Sequence, residues 1–136
     1  FYLFESEADM LEAAFYLFSD NNLKAFLKPD STIMENYVSQ AKRPLIIEKL
    51  PARSQVIKQG NNTLPTLEKM LVDVFTNKTL FYYYQGAELE NIFRFAYQSY
   101  FINFSGLLSY AAIRGQKQNL IAFLKNKTDI NPILLS

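Results

Sequence analysis

Leu64-Pro-Thr-Leu-Glu-Lys-Met-Leu-Val-Asp-Val-Phe75 divides the chain into a mixed half before it and a helical half after it. Its apolar residues recur at Leu67, Met70, Leu71, Val74 and Phe75, the spacing of one helical face. Pro65 suits the first turn of such a helix, where a missing N–H leaves nothing unpaired, and Thr63 stands where a cap belongs. Lys69 and Asp73, four residues apart, are expected to pair on the outer face. A second reading of Asp73 is a buried carboxylate that holds the following loop through backbone N–H groups. The exposed pair is the simpler expectation, because i, i+4 pairs are common on helix surfaces. The helix is short, so packing must hold it more than propensity does.

Upstream, Phe1 to Glu5 reads as a strand. Ser6 with Asp9 resembles a capping box, opening a helix whose inner face is Met10, Leu11, Ala14, Leu17 and Phe18. Ala13, Phe15 and Tyr16 widen that face, which predicts burial on more than one side. Leu23, Phe26 and Leu27 predict a helical turn ended by Pro29. Asp30 or Ser31 caps a helix that buries Ile33, Met34, Tyr37 and Val38. Leu45 to Leu50 is a second strand and Gln55 to Lys58 a third, with a turn at Gly60-Asn61-Asn62.

Downstream, Leu80-Phe-Tyr-Tyr-Tyr84 has the aromatic content of a strand but lies between helices, and is read as a short helix. Leu89, Ile92, Phe93, Ala96, Tyr97 and Tyr100 line the next helix. Asn103 caps another, with Phe104, Leu107, Leu108 and Ala111 inward and Gly115 as its terminating glycine. A final helix carries Leu120, Ile121, Phe123 and Leu124, and the tail from Asp129 reads as a loose apolar end. The expected architecture is one α+β domain: a mixed strand and helix layer over residues 1–60 and a helical bundle over 63–127, meeting near Gly60 to Thr63.

With 136 residues, 49% hydrophobic and 20% charged, the chain is able to bury a core and is not of disordered composition. It has no cysteine, hence no disulfide or thiol chemistry, which fits a cytoplasmic protein. No apolar run approaches the ~18 residues of a membrane span. The opening Phe-Tyr-Leu-Phe, without Met, suggests the C-terminal part of a longer chain.

Net charge is +1, which forecasts neither a nucleic-acid binder nor a binder of acidic partners, but the charges are unevenly spread. Residues 1–20 carry five acids and no base, and residues 111–136 four bases and one acid. Arg114, Lys117 and Lys125, with Arg94 on the preceding helical stretch, are the candidate phosphate contacts. A solvated basic face is the plainer account of them. Tyr82, Tyr83 and Tyr84 have the chemistry to stack on bases. A core or interface role suits them better, and with Ile113 they form the candidate interaction surface.

No histidine or cysteine is present, which removes the commonest general base, thiol nucleophile and metal-ligand sets. Glu88 and Glu90 point to different sides of a helix, and Glu68 and Asp73 do not converge. The four glycines fall in no phosphate-loop spacing. No catalytic residue, metal site or cofactor is expected from these residues.

The segment Leu64 to Lys125 resembles the C-terminal region of AbiE-type antitoxins of type IV toxin–antitoxin systems, in a Bacteroidetes-type branch. The resemblance is carried by Pro65-Thr-Leu-Glu-Lys-Met-Leu-Val-Asp73, similar to the family's [S/T]PxxxxLVD helix, by Gln85 to Phe93, by Tyr100-Phe-Ile-Asn-Phe104, and by Leu107 to Ala111 with Arg114-Gly115. Phe1 to Glu5, Leu27 to Asp30 and Pro44 to Ile47 extend it over most of the chain, through motifs that are mainly structural. The resemblance implies a non-enzymatic regulatory or antitoxin module, with a DNA-binding winged helix-turn-helix in a part of the protein outside these residues. It implies a nucleotidyltransferase-like toxin as functional counterpart, opposed without a stable complex. Relatives carry a strongly basic stretch similar to YARRRG. Here it is Tyr110-Ala-Ala-Ile-Arg-Gly115, so only Arg114 carries over as a candidate phosphate contact. The rival expectations are a remnant of a nucleotidyltransferase-like enzyme, which needs two carboxylates converging in a cleft, and a plain dimerisation domain.

Overall fold

The computed structural model describes all residues, 1–136. The chain is α+β, with a small sheet and helices in its N-terminal half and a helical bundle in its C-terminal half. It divides into two compact units, Phe1–Pro51 and Ala52–Ser136.

The first unit is built on a three-stranded parallel sheet in the order β1 (Tyr2–Ser6), β3 (Leu45–Lys49), β2 (Ala25–Leu27). Tyr2 pairs with Leu45 and Ser6 with Lys49 on one side, and Ala25 with Leu45 on the other. Ser6 therefore ends a strand and takes the Leu50 N–H, where the sequence suggests a helix cap. The helical turn expected at Leu23 to Leu27 is β2. Hydrogen bonding to a distant strand outweighs its local pattern. Ile46 and Ile47 of β3 are both fully buried, so both faces of this central strand are covered. Fully burying an isoleucine contributes about 1.5–3 kcal/mol. A short 3-10 turn, Ala8–Met10, leads into α1 (Leu11–Asp20), whose Phe18 meets Phe4 of β1 edge-on at 5.1 Å. Only Leu11 of α1 is buried, and Met10, Tyr16 and Leu17 stand exposed, against the expectation of a helix covered on several sides. Asp30 caps α2 (Ser31–Ile33) by accepting the Ile33 N–H at 2.8 Å. The helix continues as a π-helical turn, Met34–Val38, that buries Met34 and Val38 but leaves Tyr37 exposed.

The second unit begins with a hairpin, β4 (Val56–Gln59) and β5 (Asn62–Pro65). Gly60, the first of its two loop residues, has φ +61°, which suits the mirror-image turns that match strand twist. Pro65 is thus the last residue of a strand, paired with Val56, and not the start of a helix. The capping role falls to Thr66, whose hydroxyl accepts the Lys69 N–H at the start of α3 (Leu67–Thr76). The Thr66 N–H bonds the Gln55 carbonyl, and the Gln55 side chain donates to the Gly106 carbonyl. These bonds hold the hairpin within the second unit, so the boundary falls at Pro51–Ala52, ahead of the Gly60 to Thr63 turn.

Tyr82–Tyr84 form a 3-10 turn, followed by α4 (Ala87–Ser99), α5 (Phe104–Ile113) and α6 (Lys117–Lys127). Asn103 caps α5 as its sequence forecasts, through the Gly106 N–H at 3.0 Å. The helices enclose one apolar cluster with Leu71, Val72, Phe93, Leu107, Ala111, Leu120 and Leu124 at its centre. The tail is not loose: a 3-10 turn at Pro132–Leu135 anchors it through buried Leu135. No helix is long and apolar enough to cross a membrane.

Candidate functional site

The inward face of α3 is wider than its apolar spacing marks and shifted from it: Leu71 and Phe75 are buried and Leu67 and Val74 pack against the core, as expected, but the burial extends past them. Met70 is 46% exposed, whereas Lys69 is 1% exposed and Val72 and Asp73 are buried. At ~100° per residue, the buried arc is centred on Val72 and lies roughly a third of a turn from the expected stripe. Lys69, Val72, Asp73 and Thr76 form a second stripe at helical spacing, and this stripe carries the charges inward.

Asp73 is the centre of a polar cluster inside the second unit. Lys69 Nζ bonds its Oδ2 at 2.5 Å. The Tyr110 hydroxyl donates to Oδ1 at 2.8 Å, and Arg114 Nη1 reaches the same oxygen. The pair of Lys69 and Asp73 exists as anticipated, but it is buried, not exposed. The carboxylate holds side chains of α3 and α5 in place of the backbone N–H groups of a loop. Burial, then the charge of Asp73, push the Tyr110 phenol above its ordinary range, while hydrogen bonds with Ser54 and Arg114 act the other way. The phenol is therefore the proton donor at neutral pH. A buried ion pair is stable only when its remaining polar atoms are satisfied, and Tyr110 supplies that here.

Arg114 is placed by the end of α5. The Gly115 N–H bonds the Ala112 carbonyl and the Gln116 N–H the Ala111 carbonyl, with Gly115 at φ +71°. This is the Schellman arrangement, and it leaves Arg114 as the C-cap. Its guanidinium lies over the Tyr110 ring, 5.8 Å from the centroid, and Nη1 also donates to the Tyr110 hydroxyl at 3.2 Å. The side chain keeps 19% of its surface exposed.

The other predicted contacts do not join this cluster. Arg94 Nη2 donates to the Lys127 carbonyl at 2.9 Å, closing the C-terminal end of α6, and lies 3.8 Å from Glu90. It lines an open polar cleft with Glu90, Asn126, Lys127, Thr128 and Asp129. Lys117 and Lys125 are exposed at opposite ends of α6. Tyr83 and Tyr84 are exposed, Tyr82 is partly buried with its ring 4.1 Å from that of Tyr83, and Ile113 is exposed at the end of α5. The family model for a family of unknown function, DUF6577, matches residues 1–130. This chain belongs to that family. No curated protein and no solved structure matches this DUF6577 chain.

Two features are visible only in the folded chain. By sequence Tyr110 is one more residue of an apolar helix, although its spacing of four from Arg114 puts both on one side of α5. The last turn of α4 and the segment after it expose Phe95, Tyr100 and Phe101, with the rings of Phe95 and Tyr100 6.1 Å apart. Periodicity puts Tyr100 on the buried face. The helix ends one residue before it, which frees its side chain.

Proposed function

We propose that this chain is a non-enzymatic regulatory module that works by binding, similar in role to the C-terminal domain of an AbiE-type antitoxin and acting in the cytoplasm. The observation that carries this reading is the aromatic elbow between α4 and α5, where Phe101 is 91% exposed beside Phe95 and Tyr100. The helices below it already enclose a full apolar cluster, so these rings are surplus to the core. Contiguous exposed aromatics of this kind mark contact surfaces. Asp73 favours the same reading, since both its oxygens are engaged in holding α3 to α5. Under this proposal the counterpart is a nucleotidyltransferase-like toxin, opposed without a stable complex.

Co-expression of the protein with the toxin encoded beside it tests the proposal. The intact protein should restore growth, and replacing Phe95, Tyr100 and Phe101 together by serine should reduce that rescue while the helices stay folded by circular dichroism. Failure of the folded intact protein to restore growth overturns the antitoxin role. Unchanged rescue by the triple variant removes the elbow from it. Sedimentation of the intact protein and the triple variant addresses the dimerisation alternative: a dimer that the triple variant dissociates assigns the elbow to self-association.

A further inference from the structure

The parallel sheet of the first unit has two edges, and they are built differently. β2 is three residues long, Lys24 and Lys28 flank it, and Lys28 leaves extended backbone at φ +42°. Short strands and edge lysines are the usual protection of an open edge. β1 has neither. Its five residues hold an unbroken register with β3 and contain no lysine or proline, and Tyr2, Leu3 and Phe4 are exposed. β3 is its single neighbour in the sheet. The Tyr2 N–H donates to the Pro44 carbonyl and the Ser6 carbonyl accepts the Leu50 N–H, so the even-numbered residues turn their backbone groups toward β3. By the two-residue alternation of a strand, Leu3 presents its N–H and C=O on the outer edge. We infer that this edge pairs with the same edge of a second copy, antiparallel about a two-fold axis at Leu3, joining two three-stranded sheets into one.

Charge selects the second copy and the direction. Glu5 and the exposed Glu7 lie at the end of β1, and the exposed Lys42 and Arg43 lie at its start, just before the Pro44 that Tyr2 meets. An antiparallel pair sets the acidic end of each strand against the basic end of the other, twice over, whereas a parallel pair sets acid against acid. The register follows from the side chains. Centring on Leu3 places Tyr2 opposite Phe4 of the second copy, in the non-hydrogen-bonded positions where side chains come closest. Two such aromatic pairs form, on the face where Phe4 already meets Phe18 of α1. Sliding to Phe4 opposite Phe4 leaves Tyr2 facing Ser6, and centring on Glu5 sets two carboxylates face to face. The pairing is isologous, so it closes with two copies, and the edges that remain are the protected β2 strands. This edge lies in the first unit and the aromatic elbow in the second, so failure of either leaves the other standing.

Sedimentation velocity of the protein over a concentration series tests the pairing. Wild-type protein should pass from monomer to dimer, and the dimer should weaken as salt screens the attraction between its ends. Leu3→Pro removes only the outward N–H, because the ladder with β3 uses the even-numbered residues. It should raise the dimer Kd roughly thirtyfold, the size of the two hydrogen bonds lost across the axis, with the helical circular dichroism unchanged. Tyr2→Lys, at an exposed position, should weaken the dimer without touching the backbone, and it carries the test if Leu3→Pro does not fold. Glu7→Arg and Arg43→Glu should each weaken the dimer, and the two together should restore it. Replacing Phe95, Tyr100 and Phe101 by serine should leave it unchanged. A protein that stays monomeric at every concentration overturns the pairing, as does a dimer that neither Leu3→Pro nor Tyr2→Lys dissociates. A double charge swap no tighter than the single ones overturns the antiparallel direction.

Discussion

Helix α1 of the first unit is more apolar than α3 of the second, yet α1 stays largely exposed and α3 is the one that buries charges. The face read from α1 comprises Met10, Leu11, Ala14, Leu17 and Phe18, yet Leu11 is its one buried residue. α3 carries Glu68, Lys69 and Asp73 in ten residues, and two of those three are buried. In the first unit a covered central strand is the core, and the helix beside it stays half outside. In the second, α3 turns its Lys69 and Asp73 stripe inward, and Tyr110 of α5 completes it. Burial depends on the surface an element is packed against, and hydrophobicity decides only which faces tolerate it.

The sharpest challenge to that contrast is Asp73→Ala. It leaves Lys69 buried without its carboxylate and releases the Tyr110 hydroxyl, and removing one partner of a buried pair costs about 3–5 kcal/mol. Denaturant unfolding, with hydrogen exchange at the amides of α3 and α5, should show the loss in the second unit. Replacing Lys69 by Met and Asp73 by Leu together should cost less than Asp73→Ala, because the buried Lys69 charge leaves with its carboxylate and only the more exposed Arg114 loses its partner. A double variant worse than the single one would mean that the pair contributes more than mutual neutralisation.

Ile47→Ala measures the apolar side of the contrast. Ile47 is fully buried at the centre of the parallel sheet, so truncation should cost about 2–5 kcal/mol, with exchange rising in β1, β2 and β3. Tyr110→Phe is milder. It removes one hydrogen bond to a carboxylate that keeps two cationic partners, and about 1–3 kcal/mol is expected. A loss as large as that of Asp73→Ala would make the phenol the principal clamp.

Glu48 gives the smallest effect and one with a sign. It lies beside Glu5 on the neighbouring strand, and its pKa is raised, first by burial and then by the charge of Glu5, with Lys28 and the Lys49 backbone opposing. A carboxyl group whose folded value lies above its unfolded value binds protons more tightly when folded. Its stabilising contribution is complete below the ordinary carboxylate range and is lost as pH rises through the raised value. Unfolding midpoints of the first unit should therefore rise on acidification across that window, and Glu48→Gln should flatten the rise. An unchanged pH slope in that variant would move the effect to another group.

Much of this chain is legible without coordinates. The caps at Asp30 and Asn103, the terminating glycine at Gly115 and the periodic apolar residues of the last three helices act over three to five residues, and local rules read them directly. The short helical turn at Tyr82–Tyr84 is readable in the same way, from its place between helices. Three features need the folded chain. The segment Ala25–Leu27 is a strand because Leu45 to Ile47 lies next to it. The inward face of α3 is set by the neighbours that close over Val72, since a helix with two plausible stripes carries no local instruction between them. The orientation of Arg114 depends on a bond to Asp73, 41 positions away in sequence. Periodicity reports which residues share a side of an element, while the partner that meets that side comes from distant parts of the chain.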